Sequence, residues 1–94
     1  MTKSDLIEAV AANMPEHWTK KDVESAVNTI FGAMKMALVS GDRIEIRGLG
    51  SFRVKERRPR IGRNPKTGAR VDIPARKVPH FTVGKHLKAR VEAS

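Results

Sequence analysis

The sequence predicts an α+β fold: two N-terminal helices, a three-stranded antiparallel sheet drawn out into a long β-hairpin arm, and a short C-terminal helix. Three observations lead there. Two apolar stripes with helical spacing occupy the first part of the chain, each opened by a hydroxyl residue and an acid three positions on. Strict apolar–charged alternation follows at 43–47. A cationic stretch punctuated by prolines and glycines then separates two strand-like runs.

Thr2 and Asp5 open a first helix at 3–14, in which Leu6, Ile7, Val10, Ala11 and Met14 share a face and Pro15 ends the run. Glu16-His17-Trp18 is a connector. Thr19 and Asp22 repeat the start signal. Val23, Ala26, Val27, Ile30, Phe31, Met34, Ala37 and Leu38 mark a second helix at 20–40, with Gly41 as its C′ residue. Arg43-Ile44-Glu45-Ile46-Arg47 reads as a half-buried strand. Gly48-Leu49-Gly50 reads as a sharp turn rather than a phosphate loop, because neither a third glycine nor Gly-Lys-Ser/Thr follows. A second strand leaves from Ser51 and a third returns through Val78-Pro79-His80-Phe81. Thr82-Val83-Gly84-Lys85 then starts the last helix, with Leu87 and Val91 one turn apart.

Between these strands lies the segment around which the chain is organised. Arg57 to Arg70 contains Pro59, Gly62, Pro65 and Gly68, so it cannot be the middle of a helix. Asn64-Pro65 followed by Thr67-Gly68 is turn chemistry: Pro65 presets φ and Gly68 accepts a positive φ. The simplest object is a β-hairpin with a proline near its tip. The chain is therefore read as one domain, 1–94, with a body at 1–52 and 78–94 and an arm at 53–77.

Charge follows the same division. The formal net charge is +9. Arg53–Lys77 holds ten cations and two acids, net +8, against nine and eight, net +1, in the other 69 residues. Cations so concentrated gain most from a polyanion. The arm is too polar to bury, so the body is left with a marginal core. The broad stripe on the second helix calls for a second, symmetry-related subunit. Phe52 and Phe81 flank the base of the arm and read as packing residues.

Other classes of function find little support. There is no cysteine, hence no disulfide framework or thiolate metal site, which fits a reducing compartment. No apolar run approaches the roughly 20 residues of a membrane span. Asp5 and Glu8 argue against a signal peptide, so an intracellular protein is expected. His17, His80 and His86 are scattered. Ser51 and His80 are candidate neighbours across two strands, but no activating acid joins them. No enzyme, metal or cofactor is expected.

One family carries these motifs together. Gly62-Arg63-Asn64-Pro65-Lys66-Thr67-Gly68, with Gly48-Leu49-Gly50-Ser51-Phe52 before it and Val78-Pro79-His80-Phe81 and Gly84-Lys85 after it, resembles the bacterial histone-like HU / integration host factor family. The resemblance spans essentially the whole chain, from Met1-Thr2-Lys3-Ser4-Asp5-Leu6-Ile7 onward. Arg43 to Gly48 and Val78 to Phe81 resemble the integration host factor β branch, whereas Asp72-Ile73-Pro74-Ala75-Arg76-Lys77 resembles HU or the α branch. Leu49 stands where the family has phenylalanine, and Val83 where it commonly has proline.

The resemblance implies an architectural protein of the bacterial nucleoid, in the cytoplasm, that bends duplex DNA through its minor groove, with Pro65 as the intercalating residue. It implies an intertwined dimer, either a homodimer or a heterodimer with a related chain, no small-molecule substrate, and roles in recombination and transcription regulation. Arg53, Lys55, Arg57, Arg58, Arg60, Arg63, Asn64, Lys66, Arg70, Arg76 and Lys77 are the arm's candidate DNA contacts. Lys3 and Lys85, with Lys20, Lys21, Lys88 and Arg90, are candidate phosphate clamps on the body. Glu45 and Arg47 share one face of the first strand; by resemblance they read sequence, and by pattern alone they are an ordinary ion pair. A non-specific HU-type protein and a basic RNA-binding protein of ribosomal type are the alternatives.

Overall fold

A computed structural model describes the whole chain, Met1–Ser94, as two units, Met1–Met36 and Ala37–Ser94. Three helices and five strands follow in the order α1 (Lys3–Ala12), α2 (Lys20–Val39), β1 (Ile44–Ile46), β2 (Gly50–Arg57), β3 (Arg60–Arg63), β4 (Arg70–Ile73), β5 (Arg76–Val83) and α3 (Lys85–Ala93).

In the first unit both capping boxes form. The Asp5 N–H donates to Thr2 Oγ1 at 3.2 Å and the Thr2 N–H to Asp5 Oδ2 at 2.8 Å. Thr19 and Asp22 repeat the exchange at 3.1 and 3.0 Å. The bonds from Thr2 and Thr19 hold both carboxyls below the usual aspartate value. Helix α1 stops at Ala12, two residues before the predicted end. The Asn13 side-chain amide donates to Ala9 O at 2.9 Å, and the Asn13 N–H turns to Val10 O, tightening the final turn. The core is Ile7, Val23 and Val27, backed by Leu6, Val10, Ala11 and Phe31. Ile30, predicted to share the buried stripe, is 58% exposed.

Helix α2 ends in a Schellman motif. The Asp42 N–H reaches back to Ala37 O at 2.8 Å and the Gly41 N–H to Leu38 O at 3.0 Å, with Gly41 at φ +83°.

The second unit is built on the sheet β1-β2-β5. Strand β1 is shorter than predicted, and Arg43 and Arg47 lie just outside it. Strand β5 is longer: Thr82 faces Ser51 and Val83 faces Gly50, so these two residues extend the ladder instead of starting α3. Thr and Val suit the pleated surface. Gly84 becomes the N-cap of α3, and its N–H donates to Leu49 O at 2.9 Å. Ser51 thus faces Thr82, and it is Arg53 that faces His80. The arm is not one uninterrupted pair of strands. Its outer part is a separate two-stranded ladder, β3-β4, split from β2-β5 at residues 58–59 and 74–75. No side chain of this unit is fully buried.

Candidate nucleic-acid interface

Side chains alternate across a β-ribbon, so the register sorts the inner arm into two faces. One carries the rungs Ser51–Thr82, Arg53–His80, Lys55–Val78 and Arg57–Arg76. The other carries Phe52–Phe81, Val54–Pro79 and Glu56–Lys77, with Ile44 beside Phe52. The Phe52 and Phe81 rings sit 4.8 Å apart at 46°, within the range of favourable aromatic pairs. The ribbon is thus cationic on one side and largely apolar on the other. Lys77, a predicted DNA contact, lies on the Phe52 side, opposite Glu56. On the cationic face, Lys55 above all, then burial, Arg53 and Arg57, push the His80 imidazole below its ordinary value.

The outer ribbon pairs Arg60–Ile73, Ile61–Asp72, Gly62–Val71 and Arg63–Arg70. A Cβ on Gly62 would lie 3.2 Å from Ile73 Cδ1, so glycine here makes room for the isoleucine. Arg63 and Arg70 share a face with Asp72, whose Oδ1 lies 3.5 Å from Arg70 Nε.

The tip is held by its own polar groups. The Gly68 N–H donates to Asn64 O at 2.7 Å and the Asn64 N–H to Ala69 O at 2.9 Å. Asn64 Oδ1 accepts from the Lys66 N–H at 2.8 Å, an Asx turn that straddles Pro65. Thr67 Oγ1 accepts from the Ala69 N–H at 3.2 Å, and Arg63 Nη1 donates to Gly68 O at 3.2 Å. Gly68 takes φ +71°. Pro65 is exposed at the end of this closed loop. The sequence places Asn64 and Thr67 in the turn through Pro65 and Gly68, but not the side-chain bonds by which each closes it.

The remaining candidates are dispersed. Arg58 lies between the two ladders, and Arg47 is exposed in the turn after β1. Glu45 pairs with Arg43 at 2.9 Å. In the helical unit Lys3 Nζ donates to Asn28 Oδ1 at 3.0 Å, Lys20 lies 3.4 Å from Glu8, and Lys21 is exposed. Lys85, Lys88 and Arg90 are exposed on α3. Chemically the arm offers a thin ribbon rich in cations and a rigid, projecting ring at its end.

Residues 1–92 match the family described as bacterial DNA-binding protein. The chain belongs to this family. It is 53% identical over 93 residues to the integration host factor subunit beta of Methylococcus capsulatus, covering 99% of this chain and 97% of the relative. The corresponding subunit of Alkalilimnicola ehrlichii is 56% identical over 93 residues, covering 99% and 92%. Among solved structures, an Anabaena HU–DNA cocrystal structure superimposes with a TM-score of 0.85 at 37% identity, covering both chains in full. HU from Thermotoga maritima gives 0.65 at 32% identity, covering 97% and 98%. The resemblance drawn from Gly62 to Gly68 and its flanking motifs is borne out, and so is the α+β fold.

Proposed function

We propose that the chain is one subunit of an integration-host-factor-like architectural protein. It grips duplex DNA through the minor groove with the arm, residues 53–77, and bends it by seating Pro65 between base pairs. Residues 1–52 and 78–94 form the body that aims the arm. The observation that carries this reading is the closed tip, which presents an exposed proline at the end of a cationic ribbon.

The minor groove, about 6 Å wide, admits a ribbon and long side chains but not a helix. Twelve extended residues, Arg53 to Asn64, span roughly 40 Å, enough to reach around a duplex. Unstacking one step costs a few kcal/mol, offset by extra contacts on the bent DNA, as is general for minor-groove architectural proteins, HU and integration host factor among them. Arg53, Lys55, Arg57 and Arg76 meet phosphates from the cationic face, and Arg58, Arg60, Arg63, Lys66 and Arg70 line the outer arm.

The functional unit is a dimer, with itself or with a related chain. Only Ile7, Val23 and Val27 are buried, while α2 leaves Ile30, Met36 and Val39 at 58%, 65% and 82% exposure. A core of three side chains falls far short of what ordering a chain of this length demands. A second subunit supplies the missing burial and a second arm. This role belongs to the nucleoid in the bacterial cytoplasm; no helix is long and apolar enough to cross a membrane.

The test is a duplex labelled at both ends with a donor and an acceptor dye and saturated with the assembled protein. Energy transfer rises on binding, and an A-form RNA duplex of the same sequence competes poorly. A duplex that stays straight at saturation overturns the reading. HU-type binding without site preference is the second reading, favoured by the pairing of Glu45 with Arg43. Competition between a preferred site and random DNA separates the two.

A further inference from the structure

The register of the inner arm sets His80 opposite Arg53. Alternation puts Ser51, Lys55 and Arg57 of β2 on the same face, with Arg76, Val78 and Thr82 of β5. Glu56 falls on the other face, with Phe52 and Phe81. Strand β1 brings one acid to the His80 face, Glu45 opposite Ser51, and Arg43 already holds it at 2.9 Å. His80 thus shares its face with cations from both strands and with no free carboxylate. Phe52, Phe81 and Ile44 mark the opposite side as the one that packs, and His80 is only half-buried.

These surroundings set the charge of the ring. Lys55 first, then burial, Arg53 and Arg57, hold it below its ordinary value. That value is about 6.5, so the imidazole is neutral in the free protein at neutral pH. The same cations make this face the one where phosphates gather. A phosphate over the Arg53–His80 rung offsets the neighbouring cations, and it accepts its strongest hydrogen bond from a protonated ring. Arginine and lysine stay charged throughout this pH range, whereas imidazole changes its charge within it.

We propose that His80 is a further DNA contact of the arm, neutral in the free protein and protonated against a phosphate in the complex, so that binding takes up a proton. This rests on the minor-groove reading of the arm above. Linkage fixes the sign. A ring more basic in the complex than in the free protein leaves affinity flat at pH above the bound value. Affinity then strengthens as pH falls between the two values, by at most about tenfold per unit for each His80, and levels off below the free value. Diester phosphates do not titrate in this range and add no slope of their own. The arm grips more tightly as its surroundings acidify.

The test uses the assembled protein and an end-labelled duplex at fixed salt. Calorimetric titration in two buffers of different ionisation enthalpy reads proton uptake directly. Uptake peaks at about half a proton or more for each His80, and affinity at about pH 6 exceeds that at about pH 8 by at least about threefold. In NMR the His80 imidazole titrates about one pH unit or more higher with DNA than without, a readout that needs no variant. His80→Gln, whose side chain never charges, takes up no proton and loses the rise on the acid side. His17→Gln, in the connector between α1 and α2, keeps both. A His80 ring that titrates alike with and without DNA overturns the proposal. So does a rise that survives His80→Gln, or one that vanishes with His86→Gln, in the first turn of α3. A duplex that stays straight at saturation overturns instead the arm reading on which the contact rests, whatever the pH response.

Discussion

Glu45 holds Arg43, its carboxylate 2.9 Å from the guanidinium, and leaves Arg47 free in the turn that follows β1. Alternation alone would set residues 43, 45 and 47 on one face and offer the acid two cations, but the turn begins at Arg47. If Arg47 reads bases, Arg47→Ala narrows the gap between a preferred site and random DNA by about 1–3 kcal/mol. Equal losses on both sequences make it a phosphate contact. Competition titrations at fixed salt decide.

Pro65 stands apart from the hydrogen bonds that close the tip, which run through Asn64, Lys66, Thr67, Gly68 and Ala69. Pro65→Ala therefore keeps the turn and removes the ring proposed to wedge between base pairs. The bend seen by energy transfer on an end-labelled duplex drops more than the affinity does, since the phosphate contacts remain. An unchanged bend removes Pro65 from the mechanism.

Ten cations lie between Arg53 and Lys77. If a subunit neutralises roughly six to ten phosphates, affinity falls by about 10³ to 10⁵ between roughly 50 and 200 mM salt. Titration across that range gives a steep, linear log–log plot. A flat response rejects the electrostatic arm.

His80 sits on the cationic face with its protonated form disfavoured by Lys55, by burial, and by Arg53 and Arg57. Its folded pKa lies below the unfolded value of about 6.5. The penalty for charging it is absent at higher pH and appears as pH falls through that value, so this residue weakens the fold on the acid side. Lys55→Ala raises the His80 pKa toward the ordinary value, read by an NMR titration of the imidazole. No movement on substitution means that Lys55 is not the cause.

Gly50 has φ +153°, and a Cβ there would lie 2.8 Å from the Phe81 ring and strike the Thr82 carbonyl. Both contacts belong to the strand it pairs with, so neither gives way without moving the arm's base. Gly50→Ala costs about 2 kcal/mol or more, seen as a lowered melting temperature of the assembled protein. Gly62→Ala meets only the flexible end of Ile73 at 3.2 Å and costs less.

Local chemistry made much of this fold legible. The capping boxes at Thr2 and Thr19, the helix stop at Gly41 and the positive φ of Gly68 each follow from a residue type with one dominant use. The cationic hairpin was legible because Asn64-Pro65 and Thr67-Gly68 define its turn. The end of α1 was not, because the Asn13 side chain competes for the last carbonyls of the helix. The length of β5 was hidden as well: Thr82 and Val83 pass equally as a helix approach, and only their pairing with Ser51 and Gly50 decides. The split of the arm falls where Pro59 and Pro74 have no N–H to give a ladder, at positions that the common register of β2-β5 and β3-β4 sets opposite each other. Register is a property of two strands and of the turn that joins them, so Pro74 alone gives no sign of it. The choice of Arg43 over Arg47 by Glu45 rests on where β1 ends, which alternation does not reveal.

The scarcity of buried side chains has a bearing on how a cell keeps this protein in supply. A copy without its mate displays Ile30, Met36 and Val39 to every chaperone and protease it meets, and its lifetime is set by how fast it finds one. Where the mate is a related chain, degradation of orphans matches the numbers of the two subunits after synthesis, without any need for equal translation.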